Sequence, residues 1–381
     1  MPSILYVGMD VHKSNYTLCC YSFEADDIFA VVQVEPDYLN IIKYINRIKQ
    51  NQDEDCSLLC GYEAGSLGYT LHHQLTKHGV DCVILAPTTM PRTVKREIKT
   101  DKRDAMKIAK CLAYGTYKPV YIPTDEDNAV KEYIRMRDDA KGTLKSLKQQ
   151  ILAFCTRHGM HFTDGRSYWT QKHHAWLKKL EFGDAVLQEA YEEYLAAYYQ
   201  SSDKVERFDM RIEALASGDR YKEDVKKLTC LIGIKAHTAL ASIVETGDFH
   251  RFQTAGQYAS YLGLVPGENS SGDAKQRLGI TKAGNSHIRK LFIESAQSYG
   301  RGALGIKSKA LVSRQAGNDP KVIAYADKAN DRLKRKFYRI MFRSKRNIAV
   351  AAVARELACF IWGMMTNNIE YHPTEGAFTV V

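Results

Sequence analysis

A chain of 381 residues with 45% hydrophobic and 26% charged residues is too long for one ordinary domain and too apolar to be disordered. Its net charge of +10 is uneven: 14 Lys/Arg stand against 3 Asp/Glu between Arg301 and Arg346. That stretch reads either as a polyanion-binding surface or as a solvated charged face. Nine scattered cysteines without a C-x-x-C pair argue against a zinc site and for reduced thiols in the cytoplasm.

The N-terminus opens directly into a strand pattern, so a signal peptide is not expected. Three short strands are predicted, Ile4–Asp10, Tyr16–Phe23 and Phe29–Val34, separated by polar turns as in an antiparallel meander. A helix (Leu39–Lys49), an apolar strand from Ser57 ending at Glu63, a helix (Tyr69–His78), a strand (Cys82–Leu85) and a helix holding Asp101 to Ala113 follow. Three strands followed by alternating helix and strand is the order of a ribonuclease-H-like mixed sheet.

The middle of the chain changes period. Positions 130, 133, 137, 140, 144, 147, 151 and 154 are apolar or alanine except Arg137, and the series from Leu187 to Leu215 repeats the spacing with Ser201 as its exception. Each lays one apolar stripe along a helix, predicting a helical hairpin or a dimeric coiled coil. The connector between them is rich in aromatics and histidines (His158, His161, Trp169, His173, His174, Trp176) but shows no metal-ligand set. Further on, Leu231-Ile232-Gly233-Ile234 before Thr238-Ala239-Leu240 suggests the turn of a helix–hairpin–helix, with Lys235 where a second glycine is usual; a plain interhelical turn fits as well. The apolar run Ile348–Met365, interrupted by Arg355 and Glu356, predicts a buried helix and not a membrane span.

Four carboxylates stand out. Asp10 and Glu63 each end a strand, and alternation puts Tyr6, Gly8 and Asp10 on one face. Asp101 and Asp104 lie three apart on a helix and so project from one side. Singly, each is a turn cap or a helix-dipole partner. Together they are the hard oxygen set that Mg²⁺ or Mn²⁺ needs to stabilise the entering and leaving oxygens of a phosphodiester. A second centre is the polar loop around Ser270, Ser271 and Gly272, ahead of a helix start bearing Lys282 and Arg289, cations suited to a phosphate.

The carboxylates and this loop together resemble the DEDD transposases of the IS-one-ten insertion-sequence family, which includes pilin-type DNA invertases. The motifs are Gly8-Met9-Asp10, Tyr62-Glu63-Ala64-Gly65, Lys99-Thr100-Asp101-Lys102-Arg103-Asp104-Ala105, Gly263-Leu264-Val265-Pro266, and Ser271-Gly272 ahead of Thr281-Lys282-Ala283-Gly284-Asn285. The resemblance implies α/β plus all-α architecture: a RuvC-like (ribonuclease-H-like) domain over 1–125, central coiled-coil helices over 126–220, and a mainly helical transposase domain over 221–381. It also implies a recombinase whose Asp10, Glu63, Asp101 and Asp104 hold Mg²⁺ (or Mn²⁺) and whose Ser271, with Ser270 its neighbour, forms a phosphoserine–DNA intermediate. The implied partners are donor and target DNA, a structured non-coding guide RNA and further copies of the chain, as dimer or tetramer, with no membrane. Domains of different subunits would complete each site, acting on the nucleoid in a prokaryotic cytoplasm. Nucleic acid would be gripped by Lys282, Arg289, Lys334, Arg335, Lys336, Arg339 and Arg343. Two other readings stay open: a hydrolytic junction resolvase using the same carboxylates without a serine, and a nucleic-acid-binding protein whose carboxylates are structural.

Overall fold

Alternating apolar residues build the N-terminal sheet of the computed structural model, which describes residues 4–51, 56–91, 100–268 and 277–369. Strands β1 (Ile4–Val11), β2 (Tyr16–Ser22) and β3 (Asp27–Val34) form an antiparallel meander. Strands β4 (Ser57–Glu63) and β5 (Cys82–Leu85) add in parallel, giving the order β3-β2-β1-β4-β5. Leu5, Val7 and Met9 turn to one face, where α1 (Tyr38–Gln50) and α2 (Thr70–Lys77) bury them under Ile41, Ile45, Leu71 and Leu75. The other face carries Gly8 and receives α3 (Asp101–Tyr114).

Glycine at position 8 is a packing requirement. A Cβ there would sit 2.1 Å from the carbonyl oxygen of Ala105 and 2.5 Å from the nitrogen of Ala109, so only hydrogen lets the α3 backbone reach the sheet. A mixed sheet in this strand order, helix-covered on both faces, is the RuvC-like arrangement expected from the sequence.

The chain divides at Ile122/Pro123 into two units. The second begins with α4 (Asp125–Arg157), followed by α5 (Gln171–Leu177) and α6 (Ala185–Ala216). Helices α4 and α6 pack along each other within one chain, so the apolar stripes form a helical hairpin. Arg137, the exception in the first stripe, is buried and reaches across to Asp209 on α6 at 2.6 Å. The aromatic connector is a small core of its own: His173 is fully buried among Phe162, Trp169 and Trp176, and its Nδ1 accepts from the backbone N–H of Trp169.

Then come α7 (Lys222–Thr229), α8 (Ala236–Thr246), α9 (Ala255–Tyr261), the antiparallel pair β6 (Pro266–Glu268) and β7 (Arg277–Ile280), α10 (Ser286–Ala296), α11 (Lys309–Gln315), α12 (Pro320–Met341) and α13 (Arg346–Met365). By length and composition α13 could cross a membrane, yet 72% of its apolar window is buried, packed on α7, α9, α10 and α12. It is the buried helix its interrupted hydropathy predicts.

Candidate active site

Parallel pairing of β1 with β4 sets Gly8 beside Gly61 and Met9 beside Tyr62. The next residue on each strand is a carboxylate, Asp10 and Glu63, so the two leave adjacent strands side by side on the face that α3 covers. Thr100 caps α3 by accepting from the N–H of Arg103, which frees Asp101 and Asp104 in the first turn from capping duty. Asp10, Asp101 and His12 bring ligand atoms within 4.8 Å of one another. Glu63 is exposed at its strand end, and it and Asp104 stand outside this trio.

Burial holds the Asp10 carboxyl above its ordinary value; His12 opposes this, while the charges of Asp104 and Asp101 push it further up. Like charge gathered around Asp10 in this way fits a divalent cation, which would neutralise it. His12 went unread as a site residue in the sequence. Its signal was the two-residue spacing from Asp10, which carries the strand's alternation one step past the end of β1 to the same side.

Ser270 and Ser271 lie at 269–276, outside the described residues, between β6 and β7. The motifs on either side form one backbone unit. Thr281, Lys282 and Asn285 donate their N–H groups to the carbonyls of Val265, Gly263 and Tyr261. Gly284, at φ +69°, leaves no room for a Cβ, which would meet the Tyr261 carbonyl oxygen at 1.8 Å. Asn285 caps α10, accepting from His287 and Ile288, and donates to the buried carboxylate of Glu245 at 2.9 Å. Lys282 is exposed with φ +57°. Arg289 spends donors on the carbonyls of Leu262 and Ala283, both at 2.9 Å, and so braces this unit.

Beneath it lies a charged network that the sequence reading missed. Glu245 pairs with Arg135 (2.7 Å) and approaches His287 Nδ1 (3.2 Å); His287 Nε2 lies 2.8 Å from Asp138, which also meets His237 (3.0 Å) and Arg137 (2.8 Å). Hydrogen bonds to Asp138 and Glu245 raise His287 to about 9. Burial pushes Glu245 up, but His287, Arg135 and Asn285 outweigh it and hold the group at about 2. Asp138 is likewise held well below the carboxylate range, against its burial, by His237, His287 and Arg137.

The basic row on α12 divides. Lys334 departs from the expected phosphate-facing role: it is buried, and its Nζ donates to the carbonyl of Ala303 at 2.8 Å. Lys336 pairs at 2.7 Å with Glu356, a carboxylate buried on α13 that also holds Arg332. Arg335 and Arg339 on α12, and Arg343 just beyond it, are exposed. Arg335 and Arg339 also line a groove with Lys328, Arg332, Lys336 and the carboxylates Asp331 and Glu356. In the turn between α7 and α8, the Ile232 N–H is taken by Asn330 Oδ1, so that donor serves the protein's own core.

The RuvC-like sheet with its acidic cluster defines the class: an enzyme of the DEDD transposase type. A DEDD transposase family model for IS110 matches residues 7–159, and the model described as "Transposase IS116/IS110/IS902 family" matches residues 225–302. The chain is 30% identical to the transposase for insertion sequence element IS1533 of Leptospira borgpetersenii, over 90% of this chain and 98% of that one. It is 33% identical to a candidate transposase, y4qE, of Sinorhizobium fredii, over 94% and 88%. The transposase for insertion sequence element IS1111A of Coxiella burnetii is 25% identical over 97% and 92%. This chain belongs to the IS116/IS110/IS902 family of transposases, enzymes that act on DNA and transfer its strands.

Proposed function

We propose that this transposase cuts and rejoins donor and target DNA through a metal centre held by Asp10, Glu63, Asp101 and Asp104, with Ser271 as nucleophile. The observation that supports the reading most is the parallel register of β1 and β4, which sets two of the carboxylates side by side under the helix bearing the others. Mg²⁺ or Mn²⁺ at such a centre supplies electrostatic stabilisation of the phosphoryl oxygens. The Ser271 Oγ gives up its proton and forms a bond to phosphorus while the bond to one strand's oxygen breaks, and that strand leaves as a hydroxyl after taking up a proton. A strand hydroxyl from the second DNA then attacks the phosphoserine, loses its proton, and releases the serine hydroxyl reprotonated. One phosphodiester is lost and one gained, so the exchange needs no external energy source.

The same reading takes in a structured guide RNA that selects the DNA sites, and action as a homo-oligomer on the nucleoid in the cytoplasm. Support for polyanion binding comes from the exposed Arg335, Arg339 and Arg343. The test is a denaturant-resistant protein–DNA adduct formed with divalent metal and lost on chelation. Ser271→Ala should form no adduct while keeping DNA and RNA binding, and Ser270→Ala should be far milder. Metal-dependent cutting that continues in Ser271→Ala without any adduct would make the enzyme hydrolytic.

A further inference from the structure

We propose that His12 is a nitrogen ligand of the metal centre and that it tilts the site toward Mn²⁺ over Mg²⁺. The inference rests on Asp10 and Asp101 being metal ligands. His12 sits just past the end of β1, and its N–H donates to the Asn15 carbonyl at 2.9 Å, which closes the turn into β2 and fixes the residue. Its Nε2 lies 3.2 Å from Asp10 Oδ2. Adjacent ligands of an octahedral ion with bonds of about 2.1 Å are about 3 Å apart, so the pair matches one edge of that octahedron without rearrangement. A hydrogen bond alone would account for two atoms. Here a third donor, from Asp101, converges within 4.8 Å and faces Asp10 with like charge. A cation answers all three.

The donor chemistry sets the preference. Mg²⁺ favours oxygen and water and dehydrates reluctantly, whereas the first-row divalent ions accept an imidazole nitrogen more readily, Mn²⁺ least among them but more than Mg²⁺. Replacing one oxygen by His12 Nε2 therefore gains more for Mn²⁺ than for Mg²⁺.

The experiment uses the metal-free full-length protein and Mn²⁺ alone, titrated by electron paramagnetic resonance and then examined by spin-echo for coupling to nitrogen. Wild type should show the coupling of a directly bound imidazole. His12→Ala should lose it and bind Mn²⁺ about tenfold or more weakly, with Mg²⁺ affinity little changed, so that Mg²⁺ displaces Mn²⁺ more readily. His12→Asp should bring Mn²⁺ affinity back toward wild type without the nitrogen signal. Nitrogen coupling that persists in His12→Ala, or its absence from Mn²⁺-loaded wild type, overturns the proposal and leaves the carboxylate reading standing. A wild type that binds no Mn²⁺, indistinguishable from Asp10→Ala, brings down the carboxylate reading and His12 with it.

Discussion

Asp101 and Asp104 press like charge on Asp10, and that repulsion is a cost of the folded, metal-free protein. Asp104→Ala should therefore leave the melting temperature unchanged or raise it, while cleavage falls about a hundredfold or more, as loss of several kcal/mol of metal-centred stabilisation requires. A variant that cuts at near wild-type rate would remove Asp104 from the site. His287 carries the clearest pH signature. Its value of about 9 lies above the ordinary 6.5, so its contribution to stability is full below about pH 6.5 and lost as pH rises through 9. Glu245, lowered from 4.5 to about 2, contributes above pH 4.5 and loses that contribution as pH falls toward 2. The melting temperature should plateau between roughly pH 5 and 6.5 and decline on the alkaline side. In His287→Gln the alkaline limb should flatten and the plateau drop; an unchanged alkaline slope would assign that decline to other groups.

At the level of elements, local periodicity carried most of the fold. Alternation along Tyr6, Gly8 and Asp10 placed a carboxylate on the α3 face, and the three-four stripes of α4 and α6 found each other as a hairpin. What stayed illegible was the hydrogen-bonded and ionic pairing of polar side chains far apart in the chain. Arg137 broke a stripe because its partner Asp209 is 72 residues away, and the Asp138–His287 contact spans 149. Lys334 looked like its exposed neighbours because nothing nearby in sequence announces the Ala303 carbonyl that accepts its hydrogen bond. Close backbone approach is equally silent, and Gly8 shows its consequence. Gly8→Ala should destabilise the protein by about 1–3 kcal/mol, the range for overpacking a well-filled interior. It should also weaken Mn²⁺ binding, because α3 carries Asp101 and Asp104 away as it shifts. Denaturant melts and metal titration measure the two effects separately, and a variant equal to wild type in both would show that the helix has slack.

On the scale of the whole molecule, the net charge of +10 matters through where it is displayed. Replacing Arg335, Arg339 and Arg343 by Gln should weaken DNA binding and flatten the slope of log affinity against log salt by roughly 2–3. Lys334→Gln should lower the melting temperature instead and leave that slope alone, since its amine serves Ala303. An unchanged slope in the triple variant would make this surface a solvated face. The burial of α13 has a consequence for synthesis. Ala349, Val353, Leu357, Phe360 and Ile361 pack into the centre of the second unit, yet they lie near the end of the described chain. Residues 123–345 thus leave the ribosome before the helix that seals their core exists, whereas the N-terminal sheet has all its strands by Leu85 and can close while translation continues. A gene copy interrupted just before codon 346 would still encode every residue assigned a chemical role here, and its product would have an open core for chaperones and proteases to find.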